Sequence, residues 1–255
     1  MHLVIDVGNS RIKLGLFRDA STDCVSDIVH SAAVRHGDDV PWKELETAIN
    51  EYGELQHAII AGGNPAAIEQ FTNEWPFANV PLHQFDRHAS LPLTVAVDEP
   101  HKVGIDRLLN AIAVNSIRSS NQSAIIVDSG TATTVDFVSA EGTFQGGAIL
   151  PGFELAAKSM NHYTALLPLI QIDELTANDT SGIGKNTRDA LRQGLHWGIV
   201  GSVKELIARQ RNHQNIAIFV TGGGAELLLP NLDNAQHLPM LPLHGLLKAY
   251  QHRQP

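Results

Sequence analysis

The sequence predicts an α/β protein built from two related halves, and three observations favour that fold class. An apolar run that ends in Asp-x-Gly occurs twice, so that Asp6 corresponds to Asp128. A second apolar run follows each copy, which is typical of a strand, a tight turn and a returning strand. The stretch AIIAGG at 58–63 also resembles IFVTGG at 218–223. Such a duplication would present two carboxylates and two sets of turn amides to one cleft, an arrangement suited to a nucleotide phosphate chain and its metal.

The length of the chain agrees with this organisation, because 255 residues suffice for two modest α/β domains with cores of their own. A polar stretch at 116–123 lies just before the second Asp-x-Gly copy and is the best candidate for a junction. We therefore expect one domain over residues 1–118 and a second over 119–255. The second half is the longer one, and we expect an insertion near 145–185.

Composition excludes several classes of function. A formal net charge of -9, with no basic run, argues against nonspecific nucleic-acid binding. No apolar stretch approaches the length of a membrane span, and no signal-peptide pattern precedes the first strand. Cys24 is the single cysteine, so an internal disulfide is impossible, and the 13 histidines are scattered without metal-ligand spacing. We expect a cytoplasmic protein with neither nucleic acid nor membrane as a partner.

The first Asp-x-Gly turn has the residues of a phosphate site. Gly8 allows backbone amides to approach an anion closely, Asn9 and Ser10 are short hydrogen-bond donors, and Lys13 can reach back as a point charge. A plain β-hairpin is the alternative, since Gly-Asn is a common turn pair. The second copy favours the phosphate site, because hydroxyl-bearing residues follow Asp128 at Thr131, Thr133 and Thr134.

The segment Gly-Ile-Asp-Arg at 104–107 precedes a helix whose apolar positions 108, 109, 112 and 113 have helical spacing. Asp106 thus falls at a helix start, where an N-cap is one interpretation. The other interpretation is a general base beside Arg107, an arginine able to hold an anionic group of a substrate. Transfer of a phosphoryl group to an alcohol needs such a base.

Two glycine-rich stretches belong to the second half. The stretch GGAILPG at 146–152 can let backbone segments approach closely, although a simple connector would look the same. The run of three glycines at 222–224 follows an apolar strand and could accept a flat purine ring against bare backbone.

A long amphipathic helix is expected from Thr187 to about Arg209, with Thr187 as a possible N-cap. Small residues recur every four positions along it, namely Ala190, Gly194, Gly198 and Ser202. Such a stripe allows close packing, either inside the protein or against another subunit. Just before the helix, Gly-Lys is followed by Asn rather than by the Ser or Thr of a Walker-type phosphate loop, which excludes that kind of nucleotide site.

These segments together resemble type III pantothenate kinase, a bacterial enzyme of the acetate kinase, sugar kinase, Hsp70 and actin superfamily. The family pattern consists of Asp-x-Gly-Asn-Thr, Gly-x-Asp-Arg, Asp-x-Gly-Thr-Ala-x-Thr, Gly-Gly-x-Ile-x-Pro-Gly and a later Thr at a helix start. This chain has the corresponding residues in order at 6–10, 104–107, 128–134, 146–152 and 187, with Ser10 in place of Thr. The resemblance implies a duplicated ribonuclease-H-like fold of the actin-like ATPase type, with two similar domains around a nucleotide cleft.

The resemblance also implies an activity, the ATP-dependent phosphorylation of pantothenate to 4'-phosphopantothenate, the first step of coenzyme A synthesis. Asp106 would be the catalytic base, and Asp128 would hold a monovalent cation, potassium or ammonium, while magnesium accompanies the nucleotide. Thr187 would reach pantothenate from the neighbouring subunit of a homodimer with a shared active site. The residues implied to bind ATP are Asp6, Val7, Gly8, Asn9, Ser10, Arg11, Ile12, Lys13 and Thr131. The residues implied to bind pantothenate are Val97, Gly104, Ile105, Asp106, Arg107 and Thr187.

Two alternatives stay open, and a departure from the family supports the first. Many members carry a tyrosine that lines the pantothenate pocket seven residues before the glycine of Gly-x-Asp-Arg, whereas this chain has Val97. A kinase for another small alcohol is therefore one alternative. The other is a nucleotide-binding accessory or regulatory protein without catalysis, which the intact Asp6, Asp106 and Asp128 disfavour.

Overall fold

The computed structural model describes residues 1–18, 28–85, 91–176, 182–210 and 216–253, so Cys24 lies outside the described residues. The strands are β1 (His2–Val7), β2 (Arg11–Phe17), β3 (Ile28–Arg35), β4 (His57–Gly62), β5 (Leu82–Gln84), β6 (Ser123–Ser129), β7 (Ala132–Val138), β8 (Phe144–Pro151), β9 (Ile216–Thr221) and β10 (Ala235–His237). The helices are α1 (Trp42–Tyr52), α2 (Pro65–Asn73), α3 (Ile105–Ile117), α4 (Phe153–His162), α5 (Thr187–Gln210), α6 (Ala225–Leu228) and α7 (Leu241–Arg253). Short 3-10 helices occur at Pro100–Lys102, Ile172–Thr176 and Leu229–Asn231.

The chain divides into two compact units. The first comprises Met1–Ser120, Gly142–Phe144 and Met240–Pro255, and the second comprises Asn121–Glu141 and Gln145–Pro239. The C-terminal helix α7 therefore belongs to the first unit. The domain boundary at 118/119 and the insertion near 145–185 remain predictions. The stretch expected to be the insertion, 145–185, contains all of β8 after Phe144, helix α4 and the 3-10 helix Ile172–Thr176.

The first unit is built on a mixed sheet with the strand order β3-β2-β1-β4-β5. Strand β2 pairs antiparallel with β1 and with β3, whereas β4 runs parallel to β1 and β5 parallel to β4. Parallel pairing requires a crossover connection, and helix α2 supplies it between β4 and β5. The polar end of β1, where Asp6 lies, is at the carboxyl edge of the parallel strands.

The alternation of side chains along β1 divides the first unit into two cores. Leu3, Ile5 and Val7 pack in one buried cluster with residues of α1 and α2. Val4 packs on the opposite face, in a cluster that contains residues of α3 and α7. Asp6 has the same parity as Val4, so it points to the face that α3 covers.

Close approach of α7 to α3 depends on one glycine of the C-terminal helix. A Cβ added to Gly245 would overlap the carbonyl oxygen of Leu109 in α3. Both helices contribute fully buried leucines to the same core, including Leu109, Leu243 and Leu246. Burial of side chains of this size stabilises the unit by roughly 1.5–3 kcal/mol each, and α7 shares this core with α3.

The second unit repeats the plan of the first. Its sheet has the order β10-β9-β6-β7-β8, in which β6 and β7 are antiparallel and β9 runs parallel to both β6 and β10. Ile125 and Val127 of β6 pack on one face against α4 and α5 residues, within the core cluster that also holds Val203 of α5. Asp128 has the opposite parity and lies on the other face of this sheet.

Register reproduces the duplication at the level of single residues. Asp6 lies opposite Lys13 and Ala61, and Asp128 lies opposite Thr134 and Thr221. A glycine at the end of the parallel partner strand also packs closely in each half. A Cβ at Gly62 would collide with the carbonyl oxygen of Val7, and a Cβ at Gly222 would collide with that of Ser129. The two Asp-x-Gly hairpins and their two partner strands are therefore equivalent positions of one repeated design.

Among the described residues, no helix combines the length and the apolar content that crossing a membrane would require.

Candidate active site

The first Asp-x-Gly turn presents polar groups at the end of β1. The Gly8 amide donates to the carbonyl of Arg11 at 3.0 Å and closes the turn, so that Asn9 and Ser10 are exposed at its tip. His36, next to the end of β3, donates from Nε2 to the carbonyl of Gly8 at 2.8 Å. The turn is thus held in shape from outside, which suits a loop that must present amides to an anion.

Lys13 is the direct neighbour of Asp6 across the β1–β2 pair. Its Nζ lies 3.7 Å from Asp6 Oδ2, and the Asp6 side chain is only 4% exposed. The ammonium is therefore an ion-pair partner for Asp6 as well as a candidate phosphate ligand, because its side chain keeps 24% of its surface exposed. The ion pair places the Lys13 ammonium at the end of the strand, with part of its side chain open to solvent.

Asp106 lies inside the first turn of α3, and its side chain is exposed. The N-cap of this helix is Gly104, with φ -58 and ψ 134, so the interpretation of Asp106 as the N-cap is wrong. The φ of Gly104 is open to any residue, yet a Cβ there would come within 2.5 Å of Asp106 Oδ1. The glycine of Gly-x-Asp-Arg therefore makes room for the carboxylate two positions later.

Arg107 is held by an aromatic ring that the sequence did not reveal. The guanidinium carbon lies 5.5 Å from the ring centroid of Phe144, which is fully buried at the start of β8. A guanidinium over an aromatic face gains roughly 0.5–2 kcal/mol and loses freedom of movement. The arginine beside Asp106 is thus restrained and half-buried, as an anion-binding group should be.

Phe144 also fixes the segment that contains Val97. Its amide donates to the carbonyl of Thr94, and its carbonyl accepts from the amide of Ala96, both at 2.9 Å. Val95 forms the corresponding parallel bridge with Phe144. Phe144 therefore supports both Arg107 and the segment that leads into Val97, two residues expected to contact the substrate.

The second Asp-x-Gly turn is braced by the stretch GGAILPG. The amide of Gly152 donates to the carbonyl of Thr131 at 3.0 Å, and a Cβ at Gly152 would overlap the carbonyls of Gly130 and Thr131. Gly152 is also the N-cap of α4, so the start of this helix lies directly against the turn. These glycines make a close backbone contact rather than a simple connector. Thr131 is exposed at the tip of the turn.

Two buried hydroxyls flank Asp128. Thr134 on β7 and Thr221 on β9 are its direct cross-strand neighbours, so all three side chains lie on one face of the sheet. The exposed fractions are 9% for Asp128, 7% for Thr134 and 0% for Thr221. Neither threonine Oγ1 has a hydrogen-bond partner within the described residues. Buried hydroxyls are normally satisfied, so this pair indicates a polar ligand beside Asp128.

Thr187 is the first residue of α5 and is exposed, but it does not cap the helix. The capping bond comes from Asn186, whose Oδ1 accepts from the amide of Asp189 at 2.9 Å. The N-cap interpretation of Thr187 is therefore wrong. Its hydroxyl lies at the exposed start of a 24-residue helix.

The small-residue stripe of α5 faces outward. Ala190, Gly194, Gly198 and Ser202 are all exposed, and a Cβ added to Gly194 or Gly198 would meet nothing within 4 Å. The stripe therefore does not pack inside its own unit among the described residues. Large apolar side chains are exposed in the same unit, namely Ile149, Leu155, Met160, Tyr163, Leu166 and Ile183.

The predicted site residues divide between the two units. Residues 6–13, Val97 and residues 104–107 belong to the first unit, whereas Asp128, Thr131 and Thr187 belong to the second. Within the parts of the chain that the structure describes, no group of three or more His, Cys, Asp or Glu is placed to hold a metal ion.

Comparison with known proteins gives a consistent result. The sequence profile of type III pantothenate kinases matches residues 2–209. A type III pantothenate kinase of Nocardia farcinica is 32% identical over 283 residues, covering 100% of this chain and 98% of that protein.

Two solved structures share the fold across nearly the whole chain. A conserved protein of Campylobacter jejuni, described as a Baf family transcriptional activator, aligns with a TM-score of 0.61 and 20% identity over 98% of both chains. Component A of the (R)-2-hydroxyglutaryl-CoA dehydratase of Acidaminococcus fermentans aligns with a TM-score of 0.56 and 15% identity, covering 98% of this chain and 96% of that one. The predicted duplicated ribonuclease-H-like fold is confirmed by these neighbours and by the two five-stranded sheets. With a family profile over residues 2–209 and a relative 32% identical from end to end, the chain belongs to the type III pantothenate kinase family.

Proposed function

We propose that this protein transfers the γ-phosphoryl group of ATP to the primary hydroxyl of pantothenate, giving 4'-phosphopantothenate and ADP. The observation that carries the proposal is the start of α3, where Asp106 is exposed next to a restrained Arg107 on a helix that covers the Asp6 face of the first sheet. Membership of the type III pantothenate kinase family supports the choice of substrate.

Asp106 acts as the general base that accepts the proton of the attacking hydroxyl. Its carboxylate is exposed and so accessible to a substrate, and a glycine two positions earlier leaves it room. Arg107 binds the carboxylate of pantothenate with its planar fork of donors, which Phe144 holds in a fixed orientation. Gly104, Ile105 and Val97 complete the substrate contacts in this proposal.

The two Asp-x-Gly turns bind the nucleotide. Residues 6–13 present turn amides, short polar side chains and the Lys13 ammonium to phosphate oxygens, and Thr131 supplies a hydroxyl at the tip of the second turn. Catalysis of phosphoryl transfer consists largely of positioning and charge neutralisation, so turns of fixed shape are appropriate to it.

Magnesium would accompany the nucleotide, because Mg²⁺ is commonly held by one or two carboxylates together with substrate phosphates. When bound, it would supply positive charge next to the phosphate oxygens. Asp128 would hold a monovalent cation, potassium or ammonium. The residues at this position fit such an ion, since one carboxylate and two buried hydroxyls are hard oxygen ligands carrying a single negative charge.

The protein acts as a homodimer in which Thr187 reaches pantothenate bound to the partner subunit. The exposed glycines of α5 and the exposed apolar side chains of the same unit support an interface with a second copy. Asn186 already caps the helix, so the Thr187 hydroxyl can contact a ligand.

Mass spectrometry of the product tests the activity. Purified protein with ATP, magnesium and potassium should convert pantothenate to 4'-phosphopantothenate, with one ADP released per product. If pantothenate gives no product while another small alcohol does, Val97 has changed the substrate and the enzyme is a different alcohol kinase. If no alcohol is phosphorylated but ATP binds, the protein is a nucleotide-binding accessory or regulatory protein.

A further inference from the structure

The equivalent aspartates of the two halves, Asp6 and Asp128, have different neighbours on the adjoining strands. In the first half the direct neighbours of Asp6 on the adjoining strands are Lys13 and Ala61, an ammonium and a methyl group. In the second half the same two register positions beside Asp128 are Thr134 and Thr221. The repeated design therefore has a covalently attached cation at one copy and a pair of hydroxyls at the other.

From this exchange we infer that Thr134 and Thr221 are ligands of a monovalent cation at Asp128. The inference rests on the proposed cation role of Asp128 and adds the two residues that complete its oxygen ligands. The exogenous ion takes the place that the Lys13 ammonium has in the first half, where Nζ lies 3.7 Å from the carboxylate.

The condition of the two hydroxyls supports this assignment. Both Oγ1 atoms are buried, and neither has a hydrogen-bond partner within the described residues. Leaving one such group unsatisfied is destabilising, and here two lie on either side of one carboxylate. A ligand that all three side chains share removes both costs at once.

The charge and chemistry of the ligand set decide which ion fits. Hydroxyl and carboxylate oxygens are hard ligands, which suit alkali and alkaline-earth ions rather than soft transition metals. A single carboxylate matches a single positive charge, and no cluster of three or more acidic or imidazole groups is placed to hold a metal ion in the described ranges. Sodium, potassium and ammonium all fulfil these requirements, and titration with each ion separates them.

Thr133 offers a matched control. It is a fully buried threonine on the same strand, next to Thr134 but of opposite parity, so its side chain points to the other face of the sheet. Its hydroxyl is already satisfied, because Ser129 Oγ lies 3.3 Å away. Replacing Thr133 by Val therefore removes a buried hydroxyl without touching the proposed cation ligands.

The test follows the melting temperature of the full-length protein during titration with potassium, ammonium or sodium chloride, each exchanged for tetramethylammonium chloride at constant ionic strength. The titrations are run with and without a non-hydrolysable ATP analogue. The wild type should gain stability with potassium or ammonium, and D128N should lose that gain. T134V and T221V should be as stable as the wild type or more stable without the ion, because an unsatisfied hydroxyl has been removed. Their titration midpoints should rise by about tenfold or more, the equivalent of one lost ligand bond of about 1.4 kcal/mol.

The control and a designed variant sharpen the result. T133V should lower the melting temperature, since Ser129 loses its partner, but keep the wild-type midpoint. T134K copies the Lys13 arrangement of the first half. If near-ultraviolet circular dichroism shows that this variant is folded, it should not respond to added cations. Wild-type midpoints in T134V and T221V would overturn the inference, and so would a wild type that responds to no cation with or without the nucleotide analogue. Absence of pantothenate phosphorylation together with a normal cation response would refute the proposed function and leave the cation ligands standing.

Discussion

Asp106 shows how a residue can be placed correctly by pattern and still be misjudged in its structural role. The sequence located it at a helix start, but only the structure distinguishes an N-cap from a residue of the first turn. Because Gly104 is the N-cap, the Asp106 carboxylate is not the N-cap group of this helix. A change at this position should therefore affect chemistry far more than folding.

We expect Asp106→Asn to lower turnover by about 10²- to 10⁴-fold, the usual contribution of a general base. The melting temperature should stay close to that of the wild type, and steady-state kinetics with pantothenate measures the loss. Glu44→Gln is the matched control, because Glu44 is also an exposed acid in the first turn of a helix, α1. Unchanged turnover in the Asp106 variant would remove this carboxylate from the mechanism.

Some residue-level features could be predicted from the sequence, and others could not. Asp6, Asp128 and Gly152 stand in motifs whose spacing is local, so a pattern of a few residues identifies them. Phe144 is different, because its contact with Arg107 joins positions that are distant in the chain. Thr221 likewise comes to Asp128 only through the parallel pairing of β6 with β9. Contacts made by strand register and long connections leave no local signal.

At the scale of elements, the two hairpin turns depend on segments that pack against them. The stretch 146–152 is the clearest case, since Gly152 combines the N-cap of α4 with a contact on the second turn. The sequence indicated close approach here but could not identify the neighbour. The structure identifies the neighbour as the backbone of Gly130 and Thr131.

We expect Gly152→Ala to destabilise the protein and to weaken ATP binding, because the added methyl group would overlap two backbone carbonyls that cannot rotate away. Overpacking of this kind costs about 1–3 kcal/mol. Gly201→Ala is the control, an exposed position in α5 where a Cβ meets nothing within 4 Å. That variant should gain roughly 0.5–1 kcal/mol from helix propensity and bind ATP normally, as denaturant unfolding and nucleotide titration can measure. Normal nucleotide affinity in the Gly152 variant would show that the turn does not need this support.

Helix α7 gives the first unit a dependence on pH. Burial, together with the positive charge of Lys248, lowers the pKa of His244 from 6.5 to about 4. The ring lies edge-on to Phe17, with centroids 5.2 Å apart. Since the unfolded chain binds this proton at a higher pH than the folded chain does, the stability falls as the pH drops from about 6.5 toward 4. Burial also lowers the pKa of His83 and of His196, which act in the same direction.

The free energy of unfolding should therefore decrease by up to about 3 kcal/mol over this window through His244 alone. His244→Leu should reduce the acid sensitivity, as urea unfolding at several pH values between 7 and 4 would measure. His252→Leu, a change at an exposed histidine of the same helix, should keep the wild-type pH slope. An identical slope in the His244 variant would assign the acid sensitivity to other groups.

At the scale of the whole molecule, the duplication was visible in the sequence because both halves keep the same strand, turn and strand signals. The attachment of α7 to the first unit was not visible, since it is decided by core packing between helices far apart in the chain. The proposed homodimer likewise depends on surface residues. The exposed stripe of α5 and the exposed Thr187 at its head form the basis for expecting a second copy.

A shared active site makes a prediction that a site within one chain does not. In a two-fold dimer each contact between subunits occurs twice, so each of the two sites would combine Asp106 of one subunit with Thr187 of the other.

Two inactive variants, Asp106→Asn and Thr187→Arg, are mixed under conditions that allow subunit exchange, and pantothenate phosphorylation is measured. A heterodimer then carries both lesions in one site and none in the other, so activity should return to at most half of the wild-type level. Each variant incubated alone is the control and should stay inactive. If mixing restores nothing while exchange is verified by mass spectrometry of differently tagged subunits, Thr187 acts within its own chain, and the α5 stripe needs another explanation.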